Sequence, residues 1–80
     1  MRRSIHSPPY VLLREALLAA RREAQITQEQ LAAQLERPQS FIAKYETGDR
    51  RLDVVEFIDV CRALGVDPKV LLGKIEGHLT

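Results

Sequence analysis

Apolar side chains recur every three or four residues along most of this chain. The first set falls at Tyr10, Leu13, Leu17, Ala20 and Ala24, a spacing that places these side chains on one face of a helix. A serine and two prolines precede the set, an order typical of a helix start because proline lacks only an amide that the first turn leaves unpaired. The pattern predicts a first helix that ends near residue 24.

Capping signals mark the starts of two further helices. Thr27 with Gln30, and Asp53 with Glu56, have the spacing of a capping box, in which each side chain of the pair bonds the backbone amide of the other residue. The two boxes predict a second helix over residues 28–35 and a fourth helix that starts after residue 53.

Proline and glycine mark the remaining helix boundaries. Pro38 opens and Gly48 closes a short third helix, and Gly65 ends the fourth. Asp67 with Pro68 opens a fifth helix, which runs to residue 73 or 77. No segment alternates apolar and polar residues for long enough to predict a strand. The sequence therefore predicts an all-α fold, a compact domain of five short helices.

Helices two and three are the most informative pair. Only residues 36 and 37 separate them, and so short a link places two helices at roughly 90–120° in a helix-turn-helix. On helix three, Phe41, Ile42 and Tyr45 share the side that must face the core, at about 100° of rotation per residue. The opposite side carries an amide, a hydroxyl, a methyl and an ammonium group: Gln39, Ser40, Ala43 and Lys44.

That polar side has the chemistry of a surface that reads bases. A glutamine amide matches the edge of adenine, a lysine matches guanine or a phosphate, and a methyl group can touch that of thymine. This side holds no acid that would repel phosphates. The same residue types are common on faces that contact only water, so helix three alone leaves DNA binding and a solvated face both open.

Neighbouring residues favour DNA. Thr27 and Gln28 stand at the N-terminus of helix two, where unpaired amides and the helix dipole attract an anion such as phosphate. Arg50 and Arg51 follow helix three in the loop that flanks the pair, although arginine pairs in loops often serve only solubility. Glu46 lies at the edge between the two sides of helix three, within reach of a basic partner on helix one or simply exposed.

Composition narrows the function classes. The 80 residues are 45% hydrophobic and 29% charged, with one cysteine, Cys61, and two histidines, His6 and His78. They fit one small domain and offer no disulfide framework, metal-ligand spacing or histidine–nucleophile pair. We therefore expect no metal, no cofactor and no enzymatic activity. With no apolar run near the roughly 18–20 residues of a membrane span and no signal peptide, a cytoplasmic, nucleoid-associated protein is expected.

The net charge of +1 hides an uneven distribution. Residues 1–51 carry nine Lys or Arg against six Asp or Glu, whereas residues 52–80 carry three against five. The front of the chain is therefore basic, at +3, and the back is acidic, at −2. Such an asymmetry can indicate a polyanionic partner.

These motifs resemble those of the phage-repressor (Cro/repressor, or Xre-type) helix-turn-helix family of transcriptional regulators. The resemblance runs from Leu13 to Leu71 and rests on Thr-Gln-x-x-Leu-Ala at residues 27–32 and on an aromatic-Glu-x-Gly sequence at residues 45–48. It implies a repressor-like DNA-binding domain that places helix three in the major groove of double-stranded DNA.

The resemblance also implies roles for individual residues. Base edges would be contacted by Gln39, Ser40, Ala43 and Lys44. Phosphates would be contacted by Thr27, Gln28, Thr47, Arg50 and Arg51. Arg21 would pair with Glu46 and hold helix one against the recognition helix.

The chain departs from the family pattern near helix three. Glu36 stands in the turn where the family usually has glycine, and a left-handed conformation there would cost on the order of 1 kcal/mol. Pro38 takes the place of a Ser or Thr cap, and Ala43 that of a common hydroxyl residue. Phe41 is larger than usual, and we expect it to be half exposed. These departures leave the base preference open.

The chain is predicted to consist of an N-terminal arm, a central domain and a C-terminal tail. Residues 1–6 are expected to form a flexible arm, with Arg2 and Arg3 on DNA or simply frayed. Residues 7–72 form the helix-turn-helix DNA-binding domain. Residues 73–80 are a helical tail beyond the compact part, in which Ile75 and Leu79 make a dimer contact or cover the core.

The leading hypothesis is sequence-specific binding of double-stranded DNA by a small bacterial or phage regulator. We expect it to act as a repressor and as a two-fold homodimer on a palindromic operator. Two alternatives stay open. One is the antitoxin of a toxin–antitoxin pair with the same fold and a toxin protein as a second partner. The other is a protein-interaction module that no longer binds DNA.

Overall fold

The boundary signals of the sequence become helix ends in the structure. The computed structural model describes residues 7–79, and every regular element in that range is a helix. The five helices are α1 (Pro8–Glu23), α2 (Gln28–Leu35), α3 (Gln39–Thr47), α4 (Val54–Leu64) and α5 (Pro68–Glu76). The all-α prediction is confirmed, and the helix limits agree with the predicted ones to within about one residue, with α5 ending near the later of its two predicted limits, 77 rather than 73.

Both predicted capping boxes are present. The Thr27 hydroxyl accepts the amide of Gln30 at 3.0 Å, and the Gln30 side chain accepts the amide of Thr27 at 2.8 Å. Asp53 and Glu56 bond in the same reciprocal way, at 2.7 and 3.0 Å. Ser7 occupies the cap position of α1, but its side chain makes no capping hydrogen bond. The start of α1 therefore depends on its two prolines.

Glu36 takes the left-handed conformation expected of a residue in a glycine position, with φ 55° and ψ 43°. This conformation lets Arg37 donate to the carbonyl of Ala32 at 2.9 Å and Glu36 donate to that of Ala33 at 3.2 Å. The bonds satisfy carbonyls at the end of α2 and offset the strain. Gln25, between α1 and α2, has a similar φ of 59°, which no sequence signal predicted.

One hydrophobic core receives side chains from all five helices. Its buried members are Leu17, Leu31, Ala32, Phe41, Ile42, Tyr45, Phe57, Val60, Cys61, Leu64, Leu71 and Ile75. The expectation of a half-exposed Phe41 is wrong, because only 6% of this residue is accessible. Leu35 and Ile58 pack against the core while partly exposed.

The C-terminal segment is more integrated than the sequence suggested. Helix α5 continues through residue 76, so the boundary expected after residue 72 falls inside it. Ile75, placed beyond the compact part by the sequence analysis, belongs to the core because α5 packs against α1. The predicted N-terminal arm, residues 1–6, lies outside the described residues. No helix within residues 7–79 is long and apolar enough to cross a membrane.

Candidate nucleic-acid interface

The two sides of α3 separate as the sequence predicted. Phe41, Ile42 and Tyr45 are buried against the other helices. Gln39, Ser40 and Lys44 are exposed on the other side, and Ala43 is partly exposed. The residues predicted to contact bases therefore share an accessible surface on a helix whose other side is fixed in the core.

Behind this surface, Glu46 is a buried acid that accepts three side-chain hydrogen bonds. Arg21 donates to both of its carboxylate oxygens, at 2.7 and 3.2 Å. The Gln28 amide donates to one of the same oxygens at 2.8 Å. Only 4% of the Glu46 side chain and 13% of the Arg21 side chain are accessible. The structure thus brings together the two residues expected to pair, and the hydrogen bond to Glu46 raises the pKa of Arg21.

The Glu46 network continues to the surface. A carboxylate only accepts hydrogen bonds, so Glu46 fixes which end of the Gln28 amide faces it. The Gln28 oxygen then accepts the Gln39 amide at 3.2 Å. An unbroken series of bonds therefore links Arg21, in α1, to the first residue of α3. It sets the orientation of two glutamines that stand at the N-termini of α2 and α3.

Arg14 is a second α1 contact to α3 and was absent from the predicted site. It lies seven residues before Arg21, so both side chains leave α1 on nearly the same side. Its guanidinium donates to the backbone carbonyl of Glu46 at 3.1 Å. It also covers Gly48, where an added Cβ would approach the Arg14 Nε to 3.1 Å. The spacing to Arg21 was the only available signal for this role.

On the opposite side of α3, Glu56 binds two arginines. Arg50 donates to both of its carboxylate oxygens, at 2.9 and 2.8 Å, and Arg37 donates to one of them at 2.9 Å. The two guanidinium carbons lie 4.4 Å (Arg37) and 4.8 Å (Arg50) from the centre of the Phe41 ring. The bonds from Arg50, with others from the Asp53 amide and Arg37, lower the pKa of Glu56 to about 2. Stacked guanidinium groups thus cover the large ring that was expected to be half exposed.

The residues predicted to contact phosphates differ in exposure and in the contacts that their side chains make. Thr27 and Arg51 are exposed, whereas Arg50 is half-buried against Glu56. The Thr47 hydroxyl donates to the Lys44 carbonyl at 3.3 Å. Arg51 lies over the Tyr10 ring at 5.2 Å.

The loop that carries Arg51 is fixed to α1. The hydroxyl of Tyr10 accepts the amide of Leu52 at 2.8 Å, joining the loop to the first helix. This bond holds the backbone beside the exposed Arg51 in a defined position.

The two residues named for a dimer contact differ in exposure. Ile75 is only 9% accessible, whereas Leu79 is 47% accessible. Both line a surface groove of about 210 Å³ together with Pro9, Tyr10 and Leu13. Leu79 thus offers apolar surface at a groove whose floor includes Ile75.

Two observations concern metal ligands and the one thiol of the chain. No group of three or more His, Cys, Asp or Glu side chains within residues 7–79 is placed to hold a metal ion. The Cys61 thiol is buried in the core, and burial raises its pKa to about 11. A thiol in that state is a poor nucleophile at neutral pH.

Comparisons with known proteins agree with this geometry. The model of a family described as a helix-turn-helix domain matches residues 12–72. The chain is also similar to a solved structure of an XRE-family like protein from Pseudomonas syringae pv. tomato str. DC3000. The two are 53% identical over 95% of this chain and 93% of the other, with a TM-score of 0.87. No curated protein matches the chain.

Proposed function

This chain belongs to the Xre-type helix-turn-helix family of DNA-binding transcription regulators, and from that premise we propose that it binds a specific duplex sequence through the exposed side of α3. The observation that carries the proposal is the bonded series from Arg21 through Glu46 and Gln28 to Gln39. A series of this kind holds a polar side chain in one orientation before a ligand arrives. Preorganisation lowers the entropy lost on binding.

The proposed base contacts follow from the exposed groups. The Gln39 amide keeps an oxygen and one N–H for an adenine edge, and the Lys44 ammonium suits guanine. Ser40 supplies a hydroxyl group that can bond to several bases, and Ala43 supplies a methyl group that suits the methyl of thymine. An α-helix with its side chains is about 10–12 Å in diameter, which fits the roughly 12 Å width of the major groove, and α3 has nine residues to lie in it.

We assign the phosphate contacts to residues at the margins of α3. The amide end of α2, with Thr27 and Gln28, lies beside the start of α3, because the side chains of Gln28 and Gln39 are bonded. Arg51 and Thr47 lie at the other end. Arg50 is left out of this set because Glu56 holds its guanidinium group.

A dimer and a repressor role complete the proposal. One recognition helix covers only a few base pairs, so tight binding calls for two copies about 34 Å apart on a palindrome. Leu72 and Leu79, 49% and 47% accessible, provide apolar surface on and after α5 for the second copy. A dimer seated on a promoter would exclude the polymerase, and we propose repression for that reason.

Selection of duplexes from a random pool by the purified protein tests the proposal. We expect an enriched palindrome with half-sites one helical turn apart. Titration of that duplex should give weaker binding by about tenfold or more, at unchanged Tm, for Gln39→Ala and for Lys44→Ala, since a good base contact is worth about 1–3 kcal/mol.

Two controls separate base contacts from charge. Lys69→Ala removes an exposed lysine from α5 and should leave the affinity unchanged. Arg51→Ala should weaken the selected and scrambled duplexes by about the same factor. Absence of any binding by the wild type at low salt would reject the proposal.

A further inference from the structure

Two arginines, one at each end of the recognition helix, are bound by the same carboxylate. Arg37 precedes the start of α3 by two residues, and Arg50 follows its end by three. Both reach Glu56, on α4, at 2.8–2.9 Å. The two side chains are still 41% and 38% accessible, so their cationic groups lie at the surface.

Glu56 has no bonding capacity left for another group. One of its oxygens accepts from Arg50 and from the Asp53 amide, and the other accepts from Arg50 and Arg37. Four hydrogen bonds fill the acceptor sites of a carboxylate. The side chain is only 9% accessible, so removal of both arginines would leave a buried negative charge without a cation.

The Phe41 ring adds a second restraint. Arg37 and Arg50 both lie over it, at 4.4 and 4.8 Å from its centre, in the range of a cation–π contact. Each guanidinium group is therefore held by an acid and by an aromatic ring. In this arrangement the two arginines and Glu56 together carry a charge of +1 rather than +2.

The positions of these arginines matter for the proposed DNA complex. A helix about 10–12 Å in diameter fills a groove about 12 Å wide, so residues that flank its ends come close to the sugar–phosphate walls. Free arginines at both ends would find a phosphate on any sequence, because phosphate contacts carry no sequence information. Restraint of these two groups would lower affinity for random DNA more than affinity for the operator.

We propose that Glu56 is a specificity-determining residue that holds Arg37 and Arg50 away from DNA phosphates and so limits binding to non-cognate sequences. This inference rests on the proposed function, since it concerns the same DNA-binding surface. It gives Glu56 a role beyond the capping box of α4.

Glu56→Gln tests the inference, because glutamine keeps the capping-box acceptor while losing the charge that holds the arginines. Binding to the selected duplex and to a scrambled duplex is measured over a range of salt concentrations. We expect affinity for the scrambled duplex to rise on the order of tenfold at low salt and the salt slope to steepen by one to two, at about 0.9 per added phosphate contact. The ratio of specific to non-specific affinity should fall.

Two further variants control for charge and identify the groups involved. Asp59→Asn makes the same charge change at an exposed position one turn along α4 and should shift the slope by less than half a unit. Adding Arg37→Gln and Arg50→Gln to Glu56→Gln should return the slope to that of the wild type. A slope in Glu56→Gln equal to the wild-type slope, or a loss of affinity for both duplexes, would overturn the inference while leaving the proposed function intact.

A measurement on the wild type keeps the inference testable if these variants do not fold. The ¹⁵N signals of the Arg50 guanidinium are recorded without DNA and with saturating scrambled duplex. We expect them to keep their positions, because Glu56 retains the group. A large shift on binding would show that Arg50 moves to a phosphate and would overturn the inference. Failure of the wild type to bind either duplex would instead reject the proposed function, and the inference with it.

Discussion

Two buried carboxylates, Glu46 in α3 and Glu56 in α4, bind their cationic partners in different ways. Within residues 7–79, Glu46 accepts from one cationic side chain, Arg21. It also accepts from the Gln28 amide, which is bonded in turn to the exposed Gln39. Glu56 accepts from two cationic side chains, Arg37 and Arg50, and from the Asp53 amide of its own capping box. The first network runs to the exposed side of α3, and the second partly neutralises the cationic side chains that flank the two ends of α3.

The difference also predicts how each side responds to damage. An acid with a single cation has no replacement when that cation is lost, whereas an acid with two retains one. Loss of the one cationic partner of Glu46 should therefore lower the stability of the domain more than loss of either cationic partner of Glu56.

Loss of the Arg21 side chain should give the largest effect. Arg21→Met leaves Glu46 buried without a cation, which costs about 3–5 kcal/mol, and the Tm should fall by more than about 10 °C for a domain of this size. Thermal unfolding followed by circular dichroism measures it. Arg22→Met, at the exposed neighbouring position, is the matched control and should change stability by less than about 0.5 kcal/mol. On the other side, Arg37→Met should cost about 1 kcal/mol or less, and equal losses for Arg21→Met and Arg37→Met would break the comparison.

A side chain at Gly48 should give the next largest loss of stability. Gly48 is covered by Arg14, which also binds the Glu46 carbonyl. Its φ of 90° disfavours any side chain, and a Cβ would approach Arg14 to 3.1 Å. We expect Gly48→Ala to destabilise the domain by about 1–2 kcal/mol. Gly73→Ala is the control, since that glycine is inside α5 with open space around it, and it should stabilise by about 0.5–1 kcal/mol. Urea unfolding of both variants measures the change in the free energy of unfolding. A Gly48→Ala variant as stable as the wild type would show that Arg14 moves aside at no cost.

Lowering the pH should reduce the stability of the domain through protonation of Glu56, by less than the substitutions above. Its pKa is lowered from 4.5 to about 2, so its contribution to stability is complete above about pH 4.5 and is lost as the pH falls toward 2. The Tm difference between the wild type and Glu56→Gln should therefore be constant from pH 6 to 8 and narrow by a few degrees between pH 5 and 3. A difference that stays constant down to pH 3 would mean that the arginines do not hold this acid in solution.

Tyr45 should give the smallest effect. Its hydroxyl is buried, makes no hydrogen bond within the described part of the chain, and has its pKa raised by burial. Tyr45→Phe removes this unsatisfied group and keeps the edge-on contact with Phe41, at 5.7 Å between ring centres. We expect a stability gain of up to about 1 kcal/mol, because an unpaired buried hydroxyl is costly. A loss of more than about 1 kcal/mol in denaturant unfolding would indicate a partner for the hydroxyl.

The sequence predicted the helices well because their signals are local. The Thr27–Gln30 and Asp53–Glu56 boxes each lie within four residues, and both formed as expected. The left-handed Glu36 followed from comparison with a family glycine. The exposed side of α3 followed from helical periodicity alone.

Contacts between distant residues were harder to predict. The capping box already accounts for Glu56, so nothing in the sequence indicates that it also binds Arg37 and Arg50. Arg14 reaches a carbonyl 32 residues away, and backbone acceptors leave no trace in a sequence. The Arg21–Glu46 pair came from the family resemblance, since its partners lie on different helices and no local spacing relates them.

The central claim is that the exposed side of α3 meets DNA in an orientation set by the Glu46 network. Titration of ¹⁵N-labelled protein with the selected duplex tests it most directly. We predict that the largest shifts fall on the amides of residues 27–28 and 39–44 and on the Gln28 and Gln39 side chains. Shifts concentrated on α4 and α5, with the α3 signals in place, would contradict the account.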